Sequence, residues 1–231
     1  MKNLILIICL FVTAPLHAQQ TLVFSTLDLN FMVKINRLIF TEVYQRLGID
    51  IVIQIHPAER ALHLANSGAV DGDLIRAAMV SRIAPNLIRI PTSFFQGKTS
   101  AFSKNKNIVL KGWQDLKPYR VAILRGHKIA EIKTRGLNVE AINTPEELFY
   151  FLDRGRADIV IFPYIIAPAY LKKLKLNNIY TLSPPLEEAS LYHFLHKKHA
   201  NLVPKVDHII QQLLKEGFID NMTQQVLAEI K

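Results

Sequence analysis

The sequence predicts an α/β protein with largely parallel sheets, laid out as two successive strand-helix units. Three features predict it. Short β-rich runs alternate with segments whose apolar residues recur at helical spacing. Glycines and prolines punctuate the boundaries between these segments. The alternation then starts afresh near Tyr119, which speaks against a single undivided domain.

The elements follow in order. Residues 21–26 form the first strand and 31–47 a helix, in which Ile35, Leu38, Ile39, Val43 and Leu47 repeat at helical spacing and Gly48 supplies the stop. Residues 49–56 are the second strand, Pro57 opens a helix that Gly68 ends, and 70–75 form a third strand. Two extended runs, 87–90 and 93–103, complete this unit. In the second unit, residues 119–124 are a strand, 128–134 a helix and 139–142 a strand. Thr144, Pro145 and Glu147 combine a capping hydroxyl, a first-turn proline and a reciprocal carboxylate, so a helix over 145–154 is well specified. A buried strand at 157–162, a helix at 165–174 and strands at 179–182 and 190–196 come next, and two helices around Gly217 close the chain.

Ahead of these elements, Lys2, the apolar run 4–12 and the small residue Ala18 read as a secretion signal. Cleavage is expected after Ala18, because a cut after Ala14 places Pro15 next to the scissile bond. The run is well short of the ~20 apolar residues that span a bilayer, and nothing after residue 18 is long and apolar enough to do so. Cys9, the only cysteine, lies inside the signal, so the exported chain has no thiol and no disulfide. Ile7 and Ile8 precede it where a lipid-modified cysteine needs small residues, so a lipoprotein is not expected. The expected location is a bacterial periplasm, where a chain without disulfides depends on its own core.

Twenty-eight basic against 19 acidic residues give a formal charge of +9. The basic residues are dispersed, apart from Lys172, Lys173 and Lys175 and the pair Lys197 and Lys198. Dispersal and export together argue against a nucleic-acid partner and for a solvated surface biased toward anionic ligands.

Several segments, in their order and spacing, carry a family resemblance. They are Arg60-Ala61-Leu62 through Gly68-Ala69-Val70-Asp71-Gly72, Asp115-Leu116 before Val121-Ala122-Ile123, Glu146-Glu147-Leu148 through Gly155-Arg156-Ala157-Asp158, and Leu202 through Leu214-Lys215-Glu216-Gly217. With them nearly the whole exported chain resembles the bacterial solute-binding proteins of family 3, the periplasmic receptors typified by polar amino-acid-binding proteins. The resemblance implies a two-lobe periplasmic-binding-protein type II fold with a ligand cleft between the lobes. Its first lobe is discontinuous, made of residues 19–100 and 190–231, and its second lobe is 101–189. It also implies a monomer that takes a small-molecule ligand and delivers it to an ABC permease in the inner membrane. No cofactor and no metal are expected.

In open α/β sheets ligands sit beyond the carboxyl ends of the strands, where helix N-termini converge. The turns at such ends here contain residues 25–31, Arg76, residues 125–127, Thr144, and Pro163 with Tyr164. Arg76 ends a buried strand, where a guanidinium fork can grip a carboxylate or phosphate; the competing reading is an ion pair, for example with Asp73. Arg60, at a helix start, and Arg125 with Gly126, in a basic turn opening a helix, are further anion-binding candidates, each equally readable as a solvent-facing residue. Thr144 offers a hydroxyl and free backbone N–H groups. Phe31 and Tyr164 can stack an aromatic ligand or belong to the core. Where amino-acid-binding members carry an acidic residue for the ligand's amino group, this chain has Pro163, and the glycine-rich stretch after the first strand is replaced by residues 27–31. Within the class of small polar or anionic ligands, amino acid or organic acid, these departures tell against an amino acid and for an anionic or partly aromatic molecule.

Enzyme signatures are absent: there is no metal spacing, nucleophile elbow or phosphate-cradling loop. His193, His196 and His199 read as solvated surface around a strand end. The alternatives to a transport receptor are a dehydratase-like enzyme on the same lobes, using His127 or Glu187 as acid or base, and a ligand sensor that docks on a membrane kinase.

Overall fold

The computed structural model describes residues 21–229, so the secretion signal and Cys9 lie outside the described residues. The chain opens with β1 (Thr21–Leu27), α1 (Asn30–Gln45), β2 (Asp50–His56), α2 (Ala58–Ser67), β3 (Gly72–Ala77), β4 (Leu87–Arg89) and the long β5 (Phe95–Ser103). It continues through β6 (Val121–Leu124), α3 (Lys128–Lys133), β7 (Val139–Ile142), α4 (Pro145–Asp153), β8 (Ile159–Pro163), α5 (Ala167–Leu174), β9 (Tyr180–Thr181) and β10 (Glu187–His196). Helices α6 (Val203–Lys215) and α7 (Phe218–Ala228) come last.

Local chemistry accounts for most boundaries. In α1 the apolar positions Met32, Ile35, Ile39 and Val43 are all buried, so one stripe drives the helix onto the sheet. Gly68 adopts a φ of 80°, which a side chain resists, and so ends α2. Thr144 caps α4 by accepting the Glu147 N–H at 3.2 Å, and Pro145 follows at its first position.

The strands form one sheet in the order β2-β1-β3-β10-β5-β8-β6-β7, with β4 added on β10 and β9 on β5. Pairs among β1, β2 and β3 and among β6, β7 and β8 are parallel. Every pair that involves β5 or β10 is antiparallel, so the sheet is mixed where the sequence predicted largely parallel strands. Those two strands connect the halves. Phe95–Thr99 of β5 pairs with β10, and from Thr99 onward β5 pairs with β8; β10 leaves β5 at Leu191 and runs on beside β3.

Side-chain alternation puts apolar residues on both faces of the sheet. On one face, Phe24 and Leu74 join Phe102, Val160 and Phe162 in a large cluster that also takes in α1, α4, α5, α6 and α7. On the other face lie two smaller clusters, one around Trp113, Leu116, Ile159 and Ile161, the other around Leu62, Val70, Val80 and Phe194. Burial on both faces fixes the strand positions, because slipping a strand by one residue would exchange its two buried sets.

Candidate functional site

The parallel strands of each half end toward a shared cleft. Its larger compartment, about 300 Å³, is bounded by Leu27 and Asp28 after β1, Pro57 to Glu59 after β2, Arg125 after β6, and Asn143 to Glu146 at the start of α4. Tyr170 of α5 closes one side. A smaller compartment of about 110 Å³ shares Leu27 and lies over the connecting strands, between Arg76 and the turn Gly126-His127-Lys128.

The halves meet across this cleft. Gly126 has a φ of 82°, and a Cβ built on it would stand 2.6 Å from the Ala58 Cβ, so only glycine fits against the start of α2. Beside it, Lys128 Nζ pairs with Glu59 across the gap and with Glu131 at 2.9 Å on its own side. Burial works to lower the Lys128 pKa, but Glu59 and Glu131 outweigh it and hold the ammonium above its ordinary value. Glu131 also accepts the Gly126 N–H at 2.6 Å, which fixes the turn.

Arg76 lines the smaller compartment but is already engaged. Its Nε donates to Asp73 at 2.8 Å and its Nη2 to the Ala58 carbonyl at 2.9 Å, and both members of the ion pair are buried. A strand normally puts residues three apart on opposite faces. Here the register advances three residues on β3, from Asp73 to Arg76, while it advances two on β10, and this bulge returns Asp73 and Arg76 to the same side. Burial pushes the Asp73 carboxyl up, and the Arg76 guanidinium pulls against that. The Asp73 carbonyl in turn accepts from His193 Nδ1 at 3.0 Å, so His193 Nε2 is the acceptor for the Tyr44 hydroxyl at 2.7 Å. The arginine is anchored through a buried chain that reaches back to α1.

The remaining predicted residues separate. Arg125 lines the larger compartment with its Nε on Asn143 at 3.0 Å and its Nη2 on the Ala141 carbonyl at 2.9 Å. Thr144 lines it too, with its hydroxyl oxygen used as the helix cap, and Gly126 lines the smaller compartment. Arg60 is exposed on α2 and borders neither compartment. Phe31 packs edge-on against Tyr170, 5.6 Å between ring centres, and so supports the wall instead of forming it. Tyr164 borders a separate open groove of about 400 Å³ with Gln96 and Ser100. Pro163, in place of the amine-binding acid, borders the smaller compartment.

Sequence reasoning passed over Asp28, Glu59, Glu146 and Tyr170, which line the larger compartment, and Lys128, which borders the smaller one. Asp28 stands in the turn after β1 that the sequence marked as a ligand position, and Glu59 immediately precedes Arg60, so both signals were present. Glu187 is held by Trp113 Nε1 at 3.0 Å and Lys133 at 3.1 Å and borders neither compartment, whereas His127 borders the smaller one. The three-histidine run is not solvated as expected. His193 and His196 are buried, and His199 meets Asp71 at 2.7 Å.

This architecture recurs among solved structures. A histidine kinase sensor domain similar to periplasmic binding proteins superposes with a TM-score of 0.78 at 15% identity, covering 90% of this chain and 96% of that one. An ancestral arginine-binding protein bound to glutamine gives a TM-score of 0.75 at 16% identity, covering 90% and 98%. The chain has the two-lobe periplasmic-binding fold. An amino acid ABC transporter substrate-binding protein from Streptococcus pneumoniae bound to L-arginine also shares the fold, at TM-score 0.73 and 16% identity, covering 91% and 95%. In sequence, an uncharacterised protein of Shewanella oneidensis is 27% identical over 213 residues, covering 87% of this chain and 79% of that protein. No protein-family model matches the chain. Both compartments lie where strand ends of the two halves converge.

Proposed function

We propose that the chain is an exported receptor that captures a small polar organic ligand between its lobes and presents it to an inner-membrane ABC permease. Lobe one is residues 19–100 and 190–231 and lobe two 101–189, with β5 and β10 as the hinge. The observation that carries this reading is the cleft itself: strand ends from both lobes converge on it, and Gly126 and Lys128 dock on Ala58 and Glu59 across it. Arginine-bound and glutamine-bound proteins of the same fold support a ligand of amino-acid size. The proposed location is the periplasm, on the strength of the secretion signal.

The composition of the cleft bears on the ligand's charge. Asp28, Glu59 and Glu146 face a larger compartment whose one lining cation is Arg125, and the guanidinium of Arg76 is already neutralised by Asp73. Glu59 and Glu146 have lysine partners, Lys128 and Lys173, which leaves Asp28 as the carboxylate best placed to meet a ligand. A cationic group is favoured there over the anion that the sequence suggested. The sensor reading has a specific support of its own in the kinase sensor domain that shares the fold.

A thermal-shift screen of amines, amino acids and organic acids on the purified exported chain tests the proposal. A ligand at a hundred times its Kd adds about 2.7 kcal/mol of stability, equivalent to roughly 5–10 °C in Tm for a chain of this size. Amines and basic amino acids are expected to give such shifts. Shifts confined to organic acids would overturn the charge preference, and no shift from any class would overturn the receptor reading.

A further inference from the structure

Positive charge that is dispersed along the sequence is gathered by the fold at one end of the second half. Strands β6, β7 and β8 run parallel toward the cleft and start level with one another, Val121 pairing with Val139 and with Ile159. The connections that lead into β6, β7, β8 and β9, residues 104–120, 134–138, 154–158 and 175–179, therefore meet at the end away from the cleft. Direct contacts join them. Lys104 Nζ donates to the Asp153 carbonyl at 2.7 Å, Arg120 pairs with Asp158 at 2.7 Å, the Val121 N–H donates to the Asn138 carbonyl at 3.2 Å, and Ser103 stands opposite Tyr180. These four connections hold nine basic residues against two acidic ones, Asp115 and Asp158, in a chain whose net charge is +9. All nine basic residues are exposed. Asp158 is engaged by Arg120, and Asp115 by the backbone N–H groups of Lys111 and Gly112 at 2.6 and 3.2 Å. The matching end of the first half is balanced: the connections into β2 and β3, residues 46–49 and 68–71, hold only Arg46, paired with Glu42 and Glu216, and Asp71, paired with Lys198 and His199. Apolar side chains stand among the cations of the second half. Val109 is 71% exposed and Tyr180 43%, and the Arg154 guanidinium lies 5.7 Å from the centre of the exposed Tyr150 ring.

We propose that this end of the second half docks on a bilayer surface rich in anionic phospholipid. A single small anion calls for a few donors converging on one point. Here the cations are spread over four connections, which matches a surface that itself carries many charges. The attraction of each Lys or Arg adds to that of its neighbours, and Val109, Tyr150 and Tyr180 are side chains of the kind that settle at the boundary between headgroups and acyl chains. Contact at this end leaves the cleft, at the other end of the strands, clear for a ligand.

Sedimentation of the exported chain with vesicles tests the proposal. Binding is expected to vesicles of mixed phosphatidylglycerol and phosphatidylcholine and not to phosphatidylcholine alone. It is expected to weaken as ionic strength rises from about 0.01 M to about 0.1 M, where the screening length falls from about 30 Å to about 10 Å. Lys106→Gln, Arg135→Gln and Arg156→Gln combined are expected to weaken it about a hundredfold, about fivefold for each charge removed. Arg82→Gln, Lys205→Gln and Lys215→Gln combined, an equal change of charge at exposed positions of the first half, are expected to leave it within about twofold of the wild type. A polarity-sensitive fluorophore on Val109→Cys is expected to shift to the blue with the mixed vesicles, and on Lys205→Cys to stay unchanged. Equal sedimentation with the neutral vesicles, an equal loss in both triple variants, a silent label at position 109, or retention on immobilised heparin with no binding to vesicles would overturn the proposal. None of these outcomes touches the receptor reading, whose ligand-induced thermal shifts are expected to be the same in the triple variants and the wild type.

Discussion

At the scale of single residues, the position of Arg76 was legible, and its state was left open between a ligand grip and an ion pair with Asp73, of which the structure has the ion pair. A strand-ending arginine beside a cleft follows from pattern alone, but its ion pair depends on the bulge between β3 and β10, and that register exists only once the strands pair. Removing one partner of a buried ion pair leaves the other uncompensated, at a cost of about 3–5 kcal/mol. Arg76→Ala is therefore expected to lower the unfolding free energy by roughly that amount in a urea titration, and Arg76→Met combined with Asp73→Leu to recover much of it. His193 carries a second prediction. Burial lowers its pKa from 6.5 to about 3, so between those values the unfolded chain binds a proton that the folded chain refuses. The stability from this group is complete above about pH 6.5 and is lost as pH falls toward about pH 3, and His127 acts in the same direction. Tm is expected to drop between about pH 7 and pH 4.5, with a shallower drop in His193→Gln.

At the scale of elements, the sequence placed nearly all of them because local signals agree with the tertiary structure: the buried stripe of α1, Gly68 after α2, Thr144 and Pro145 before α4. The direction of β5 and β10 was not legible, since antiparallel pairing to both halves is decided by partners distant in sequence. The clearest element-level consequence concerns the turn between β6 and α3. A methyl group at Gly126 collides with Ala58 and strains a φ of 82°, yet the collision exists only when the two halves are in contact. Gly126→Ala is expected to weaken ligand binding by at least about tenfold, measured by calorimetry, through loss of the shut form. Lys128→Ala, which removes the cross-cleft ion pair with Glu59 and the pair with Glu131 on its own side, is expected to cost less, because ion pairs near the surface contribute about 0–1 kcal/mol each.

At the scale of the whole molecule, the two-part α/β architecture was readable from the restart of the pattern at Tyr119, while the contents of the cleft were readable only in part: Arg76, Arg125, Gly126 and Thr144 border it, but its acidic residues were passed over. Asp28 comes from the turn after β1, and Glu59, Glu146 and Tyr170 from α2, α4 and α5, and which of them face one another depends on how the lobes meet. Closure is the property on which every functional statement rests: a ligand shifts the lobes only if it binds the shut form better than the open one. Small-angle X-ray scattering of the exported chain, with and without the compound that most raises its Tm, measures this directly. The account predicts that the radius of gyration falls on ligand addition in the wild type and stays at the open value in Gly126→Ala. A radius unchanged by a saturating ligand in the wild type would contradict it.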